Sequence, residues 1–154
     1  MQRFIADRML GKLAKWLRVL GYDVVYLRKA GEEEILEYLQ EGRTLLTRNR
    51  RARLWRGKGR VFMVNDNDPK IQLREVVKGL RLAESGGAIF SRCLKCNRFL
   101  DSVSREEIRE ELPDYIYQRQ KQFHRCSDCG KVYWHGSHAV RMRQQLREIL
   151  ENSE

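Results

Sequence analysis

No stretch of this 154-residue chain is apolar for long enough to cross a bilayer, and its N-terminal run has none of the make-up of a secretory leader. A membrane is therefore not an expected partner, and a reducing cytosol is the expected setting. Low-complexity segments are missing, and nothing repeats along the chain except one short cysteine pattern. Acidic residues are missing altogether between Arg48 and Arg60. Cysteine and histidine are scarce, at four and three residues.

The four cysteines nevertheless form two pairs, Cys93-Leu-Lys-Cys96 and Cys126-Ser-Asp-Cys129. A two-residue gap lets both thiolates of a pair turn toward one ion. Two such pairs complete the tetrahedral sulfur site that structural zinc prefers. The 29 residues between the pairs exceed the commonest finger spacing, but a ribbon can hold a hairpin or an insert there. Disulfides would also use an even count, but a reducing compartment disfavours them. Iron and redox chemistry are the remaining alternatives. Of His124, His135 and His138, only His124 lies close enough to a cysteine to replace one.

The net charge of +10 is unevenly placed. Residues 1–88 carry 19 Lys and Arg against 11 Asp and Glu; residues 89–154 carry 12 against 10. Seven cations, Arg48, Arg50, Arg51, Arg53, Arg56, Lys58 and Arg60, fall within thirteen residues. Such a run suits a polyphosphate, whose condensed counterions it releases. A solvated basic face and a membrane-surface patch are the alternatives. Trp55 inside the run favours RNA, because an aromatic ring can stack on an unpaired base.

Hydrophobic periodicity predicts an α/β fold. Strands are expected at 3–6, 23–27, 43–47 and 61–64, and helices at 8–20, 32–40, 50–56 and 71–82. Leu10, Leu13, Ala14, Leu17 and Leu20 form the buried stripe of the first helix. Arg8, Lys12 and Lys15 share another face, and Gly21 suits its end. Alternating strands and helices imply a mostly parallel sheet. Ser85-Gly86-Gly87 marks a boundary between a domain at 1–88 and a small zinc ribbon at 89–154. The ribbon is expected to hold a short helix or turn at 106–111 and a basic helix at 139–150.

In open parallel sheets, ligands bind beyond the carboxyl ends of the strands. Asp7, Glu32 to Glu34, Thr47-Arg48-Asn49 and Asn65 to Asp68 all fall at those ends. Acids converging there would collect Mg²⁺ or Mn²⁺, which activate water in phosphodiester hydrolysis. The plainer reading of Glu32 to Glu34 is a helix start, and of Asp66 and Asp68 a turn before Pro69. Asp7 is harder to account for in that way, since it ends one apolar strand and begins an apolar helix.

Phe4-Ile5-Ala6-Asp7-Arg8-Met9-Leu10-Gly11-Lys12-Leu13-Ala14-Lys15-Trp16-Leu17-Arg18, then Leu20-Gly21-Tyr22-Asp23, resembles the opening of the Mut-seven C-terminal (Mut7-C) ribonuclease family. Gly42 to Arg48 resembles it too, as do Cys93 to Asn97, Cys126 to Gly130 and Val132 to His138. The resemblance runs in order along nearly the whole chain. It implies a PIN-like nuclease domain fused to a zinc ribbon, and metal-dependent ribonuclease chemistry giving 5′-phosphate and 3′-hydroxyl products. Asp7 matches the first catalytic aspartate. The acid before the second helix falls at Glu32 or Glu33, and Asp66 corresponds to the acid after the fourth strand.

One position departs. The family pattern after the third strand reads Thr-Arg-Asp, and this chain has Asn49. Its carbonyl oxygen can ligate a metal, but it supplies no charge and is a poor base. Three readings stand open: the remaining acids suffice, the chain binds RNA without cutting it, or the residue is an introduced inactivating change.

The leading expectation is a ribonuclease with Asp7, Glu32, Glu33, Asn49 and Asp66 as catalytic positions. Asp7, Glu33 and Asp66 would hold Mg²⁺ or Mn²⁺, and Cys93, Cys96, Cys126 and Cys129 would hold zinc. Arg8, Lys12, Lys15, Arg48, Arg50 and Arg51 would grip RNA. The alternative is a non-catalytic RNA- or ribosome-binding protein on the same scaffold.

Overall fold

The computed structural model describes residues 1–29, 31–82 and 88–152, so the boundary expected at Ser85-Gly86-Gly87 lies outside the described residues. The first part alternates as expected: β1 (Arg3–Ala6), α1 (Gly11–Val19), β2 (Asp23–Tyr26), α2 (Glu32–Gln40), β3 (Thr44–Thr47), β4 (Val61–Met63) and α3 (Pro69–Gly79). The strands form one sheet in the order β2-β1-β3-β4, with every neighbouring pair parallel. The α/β reading is borne out.

Period-two alternation explains how the sheet is covered on both faces. Phe4 and Ala6 of β1 and Leu46 of β3 enter a large core with Leu13 and Leu17 of α1 and Leu73 and Val76 of α3. Ile5 and Leu45 point the other way, into a smaller cluster with Leu39 of α2. The C-terminal helix α6 (Ser137–Glu151) brings Met142, Leu146 and Ile149 into the large core, although the cysteines precede it in sequence. Arg74 Nε of α3 donates to Ile149 O at 2.8 Å, fixing that contact.

Local hydrogen bonds moved three expected helices. The turn Arg8–Leu10 is a 3-10 helix ahead of α1, because Asp7 Oδ1 accepts from Met9 N only two residues on. The segment expected at 50–56 is a 3-10 helix, Arg50–Trp55, whose first bond runs from Ala52 N to Asn49 O, the i to i+3 pattern. Helix α3 starts at Pro69 rather than Ile71, since Asp68 accepts from Lys70 N and proline suits the first turn.

Beyond residue 88 lie β5 (Asp101–Val103), α4 (Arg105–Ile108), α5 (Asp114–Arg119), β6 (Phe123–Arg125) and β7 (Val132–Tyr133). Strands β5-β6-β7 form an antiparallel sheet. The helix or turn expected at 106–111 is α4 followed by a 3-10 turn at Arg109–Glu111.

Three buried arginines join the two parts at the amino edge of the parallel sheet. Arg43, just before β3, makes a two-pronged pair with Asp23 at the start of β2, at 2.8 and 3.1 Å. Asn97 donates to Asp23 Oδ1 at 2.7 Å and accepts from Val24 N at 3.0 Å. Arg18 of α1 donates to Val24 O and to the carbonyls of Leu94 and Lys95, inside the first cysteine pair. Arg92 donates to Gly21 O and Asn97 O. The first cysteine loop is thus bolted to the sheet by charge-assisted hydrogen bonds.

Asp23→Ala leaves Arg43 buried without its partner, so a stability loss of about 3 kcal/mol is expected, measured by urea unfolding. Burial alone would raise the Asp23 carboxyl, but hydrogen bonds from Arg43 and Asn97, and the charges of Arg43 and Arg92, hold it below its ordinary value. A depressed folded value means the contribution is complete above the ordinary carboxylate range and is lost as pH falls through the folded value. The gap between wild type and Asp23→Ala should therefore begin to narrow below about pH 4 and close only below the depressed folded value. A gap that persists there would show that the lost stability comes from packing.

Candidate active site and cysteine metal centre

The strand order reverses between β1 and β3: the chain leaves β1 to one side for β2 and reaches β3 on the other. Such a switch point opens a crevice at the carboxyl edge. Asp7 stands at the end of β1 and Thr47 at the end of β3, and they meet across that crevice. Thr47 Oγ1 donates to Asp7 Oδ2 at 2.5 Å and accepts from Asn49 N at 3.0 Å. Asn49 Oδ1 accepts from Arg51 N at 3.0 Å. The basic segment is thereby tethered to the Asp7 carboxylate through two short side chains. Tyr26, at the end of β2, closes the other flank by donating to Arg8 O at 2.7 Å. A Cβ on Gly11 would stand 3.2 Å from the Tyr26 ring, so the close approach depends on that glycine.

The other expected acids stand along the same edge. Glu32 and Glu33 lie exposed in the first turn of α2. Asp66 follows β4 and caps its own turn, Oδ1 accepting from Asp68 N at 2.8 Å. Glu75 of α3 fixes that loop, accepting from Asn65 N at 2.8 Å and Asp66 N at 2.9 Å, while Gln72 donates to Asp66 O at 2.8 Å. Sequence reading missed Glu75 and Gln72; the signal was an acid placed between Arg74 and Lys78 on a basic helix. The structure does not gather Asp7, Glu32, Glu33 and Asp66 into one cage. Among the described residues, only the four cysteines bring three or more ligand atoms within 4.8 Å of one another.

Asp7 still suits a hard cation. Each of its oxygens takes one hydrogen bond and keeps a second lone pair. Mg²⁺ is commonly held by one or two carboxylates, with waters and substrate phosphates completing its shell. Asn49 offers less, since it has a single neutral oxygen, which also accepts from Arg51 N. Arg8, Lys12, Lys15, Arg50 and Arg51 are exposed and Arg48 is half-buried, so none is locked in the core. Trp55 is different. It packs against the smaller core cluster, with Lys58 Nζ 5.5 Å from its ring centroid, so the ring expected to stack on a base is already engaged.

The cysteines are free thiols. Cys93 Sγ lies 3.8 Å from Cys129 Sγ, which matches the edge of about 3.8 Å that a tetrahedron with Zn–S bonds near 2.3 Å requires. The two loops are near copies. Asn97 N and Gly130 N both return at 2.9 Å to the carbonyl of the first cysteine of their pair. Both residues are left-handed, at φ +71° and +74°, a conformation that favours asparagine and glycine.

Burial pushes the Cys93 thiol up, but hydrogen bonds from Tyr133 and from the backbone at Cys96 and Lys95 outweigh it and bring it down to about 7. Cys96 is pushed up to about 12 by desolvation and by the neighbouring sulfurs. Crowded sulfurs that resist joint ionisation are what a divalent cation neutralises. The residues fit zinc.

The sequence pattern of the Mut7-C RNAse domain matches residues 2–146. Among curated proteins, the human protein described as "Exonuclease mut-7 homolog" is 24% identical over 230 aligned positions, covering 98% of this chain. The chain spans 26% of that protein's length. No solved structure matches the chain. Among the described residues no helix is long and apolar enough to cross a membrane. The motif run around Asp7, the parallel sheet that carries it and the four-cysteine centre all fall inside the matched span, and the chain belongs to the Mut7-C RNAse domain family.

Proposed function

We propose that this protein is a metal-dependent ribonuclease that hydrolyses phosphodiester bonds of RNA in the cytosol, leaving 5′-phosphate and 3′-hydroxyl ends. The observation that carries the reading is the Asp7 carboxylate at the switch point, bonded to Thr47 and flanked by exposed cations. Asp7 is the principal holder of Mg²⁺ or Mn²⁺, with Asp66 and Glu33 contributing from the same edge. When bound, the cation supplies a more acidic water and neutralises charge on the phosphate. Arg48, Arg50, Arg51 and Arg8 hold the phosphates that the carboxylates alone would repel. Lys12 and Lys15 extend the grip along α1. Thr47 positions Asp7 and, through Asn49, sets the start of the arginine segment. Zinc at Cys93, Cys96, Cys126 and Cys129 has a structural role, and the two-part division near residue 88 separates this accessory unit from the chemistry.

A second reading, an RNA- or ribosome-binding protein without chemistry, draws on two observations. Asn49 is neutral, and the acids form no closed cage. Cleavage assays separate the two. Labelled single-stranded RNA is incubated with the wild type and with Asn49→Asp, with and without Mn²⁺. The carboxylate keeps the cap to Arg51 N and adds charge at the edge, so Asn49→Asp is expected to cut at least about tenfold faster, a barrier lower by about 1.4 kcal/mol. If neither protein cuts RNA with Mn²⁺, the binding reading replaces the nuclease one.

A further inference from the structure

The cysteine part carries a groove of about 480 Å³ that the carboxyl edge does not include. Its walls come from α1, the segment beside the first cysteine pair, α5, the β6-β7 region and the first turn of α6. Tyr115 and Trp134 supply aromatic faces, Phe90 is covered by the Arg143 guanidinium 5.8 Å from its centroid, and Lys15, Arg119 and Lys131 supply cations. All three histidines of the chain line it as well. No Asp or Glu does so among the described residues, in a chain with 21 of them. Phe90 and Trp134 are held edge-to-face, 5.7 Å from His135 and 6.3 Å from Phe123. Tyr115 is 61% exposed.

This is the composition of a single-strand platform: rings on which bases stack, and cations that follow the backbone. A duplex keeps its bases stacked internally and offers no ring to these faces. An apolar peptide would use the rings, but it would not call for three cations and no acid. A smaller cavity of about 280 Å³ beside α6 lacks this signature, since Glu151 lines it with Arg143 and Arg147. One wall of the groove lies on the helix that leads to the nuclease face. Lys15 belongs to the exposed side of α1, which carries Lys12 and leads to Arg8 beside Asp7. At helical rise, that row spans about 10 Å.

We propose that this groove binds unpaired nucleotides of a single RNA strand, seating bases against Tyr115 and Trp134 and phosphates at Lys15, Arg119 and Lys131. The strand then follows α1 to the Asp7 edge. The inference rests on the reading of RNA as the substrate, and the test separates the two.

Tyr115 and Arg119 are both exposed on α5, so Tyr115→Ala/Arg119→Ala is expected to fold, with zinc content and circular dichroism checked against wild type. The probe is a fluorescent RNA of about 16 nucleotides, compared with one of about 4, the limits of single-strand site sizes. Loss of one base stack and one phosphate contact lowers affinity for the longer strand about tenfold or more. Affinity for the short one changes less than about twofold, because it need only reach the carboxyl edge. Equal affinity of wild type and double variant for the long strand, with loss confined to an Arg48→Ala/Arg50→Ala/Arg51→Ala variant, overturns the groove assignment and leaves the nuclease reading standing. The groove is then a protein-facing surface. RNA bound by none of these proteins sinks both readings.

Discussion

Asp7→Asn is expected to lower Mn²⁺-dependent cleavage of RNA by about 10³-fold, in the wild type and in the Asn49→Asp background alike. A bound cation contributes several kcal/mol of charge stabilisation to phosphoryl chemistry, and about 1.4 kcal/mol corresponds to each factor of ten. Asparagine halves the ligand capacity of the side chain and removes its charge. The fold should survive. The amide oxygen can still accept from Met9 N, and the amide nitrogen can donate to Thr47 Oγ1, which keeps one lone pair beside the bond from Asn49 N. Exchanging charge-assisted hydrogen bonds for neutral ones costs about 1–2 kcal/mol. RNA affinity in the absence of metal should hold or rise, because a negative charge has left a basic face. Rates from a gel assay, read beside a melting curve, check all of this. Cleavage by Asp7→Asn at the parent rate would move the chemistry away from the switch point.

Removing zinc is expected to have the largest effect on structure. Among the described residues between Ala88 and Gly136, the only fully buried large apolar side chains besides the cysteines are Ile108 and Phe123. Two such residues contribute roughly 3–6 kcal/mol, far short of the entropy cost of ordering that much chain. Structural zinc contributes about 10–16 kcal/mol in comparable small folds. Chelation at neutral pH should therefore unfold the β5-β6-β7 sheet and leave the parallel sheet standing. Hydrogen exchange would show fast amides across β6 and β7 and persistent protection in β1 and β3. Protection of β6 unchanged by complete metal removal would show that the ribbon folds on its own.

Much of the α/β part was legible because it is local. Leu10 to Leu20 repeats at helical spacing, and each strand is a short apolar run ended by a polar residue. The strand-end rule then placed Asp7, Asn49 and Asp66 on one edge before any coordinates. Spacing alone also announced the metal centre. What escaped depends on partners far apart in sequence. Arg18 sits inside the apolar run Leu17-Arg18-Val19-Leu20, and its bonds to Val24, Leu94 and Lys95 explain why an arginine is buried there. Asp23, Arg43 and Asn97 carry no periodic signal. Strands β5, β6 and β7, of three, three and two residues, are too short to alternate visibly. Trp55 read as a surface ring because its neighbours are cations, whereas the 3-10 turn directs it into the smaller core.

The two cysteine loops share a backbone and differ in their fifth residue. Asn97 uses its side chain to hold Asp23 and the Val24 amide, whereas Gly130 has no side chain to offer. The first loop is fixed to the parallel sheet, whereas the second is tied within the cysteine part, by Asp128 to Arg98 at 2.8 Å. Metal capture then falls to the second loop and the β5-β6-β7 strands that order with it, against a half-site that the parallel sheet keeps in shape. The first loop is ordered before the ion arrives, so its entropy does not oppose binding, and the folded α/β part acts as the template on which its own accessory unit assembles.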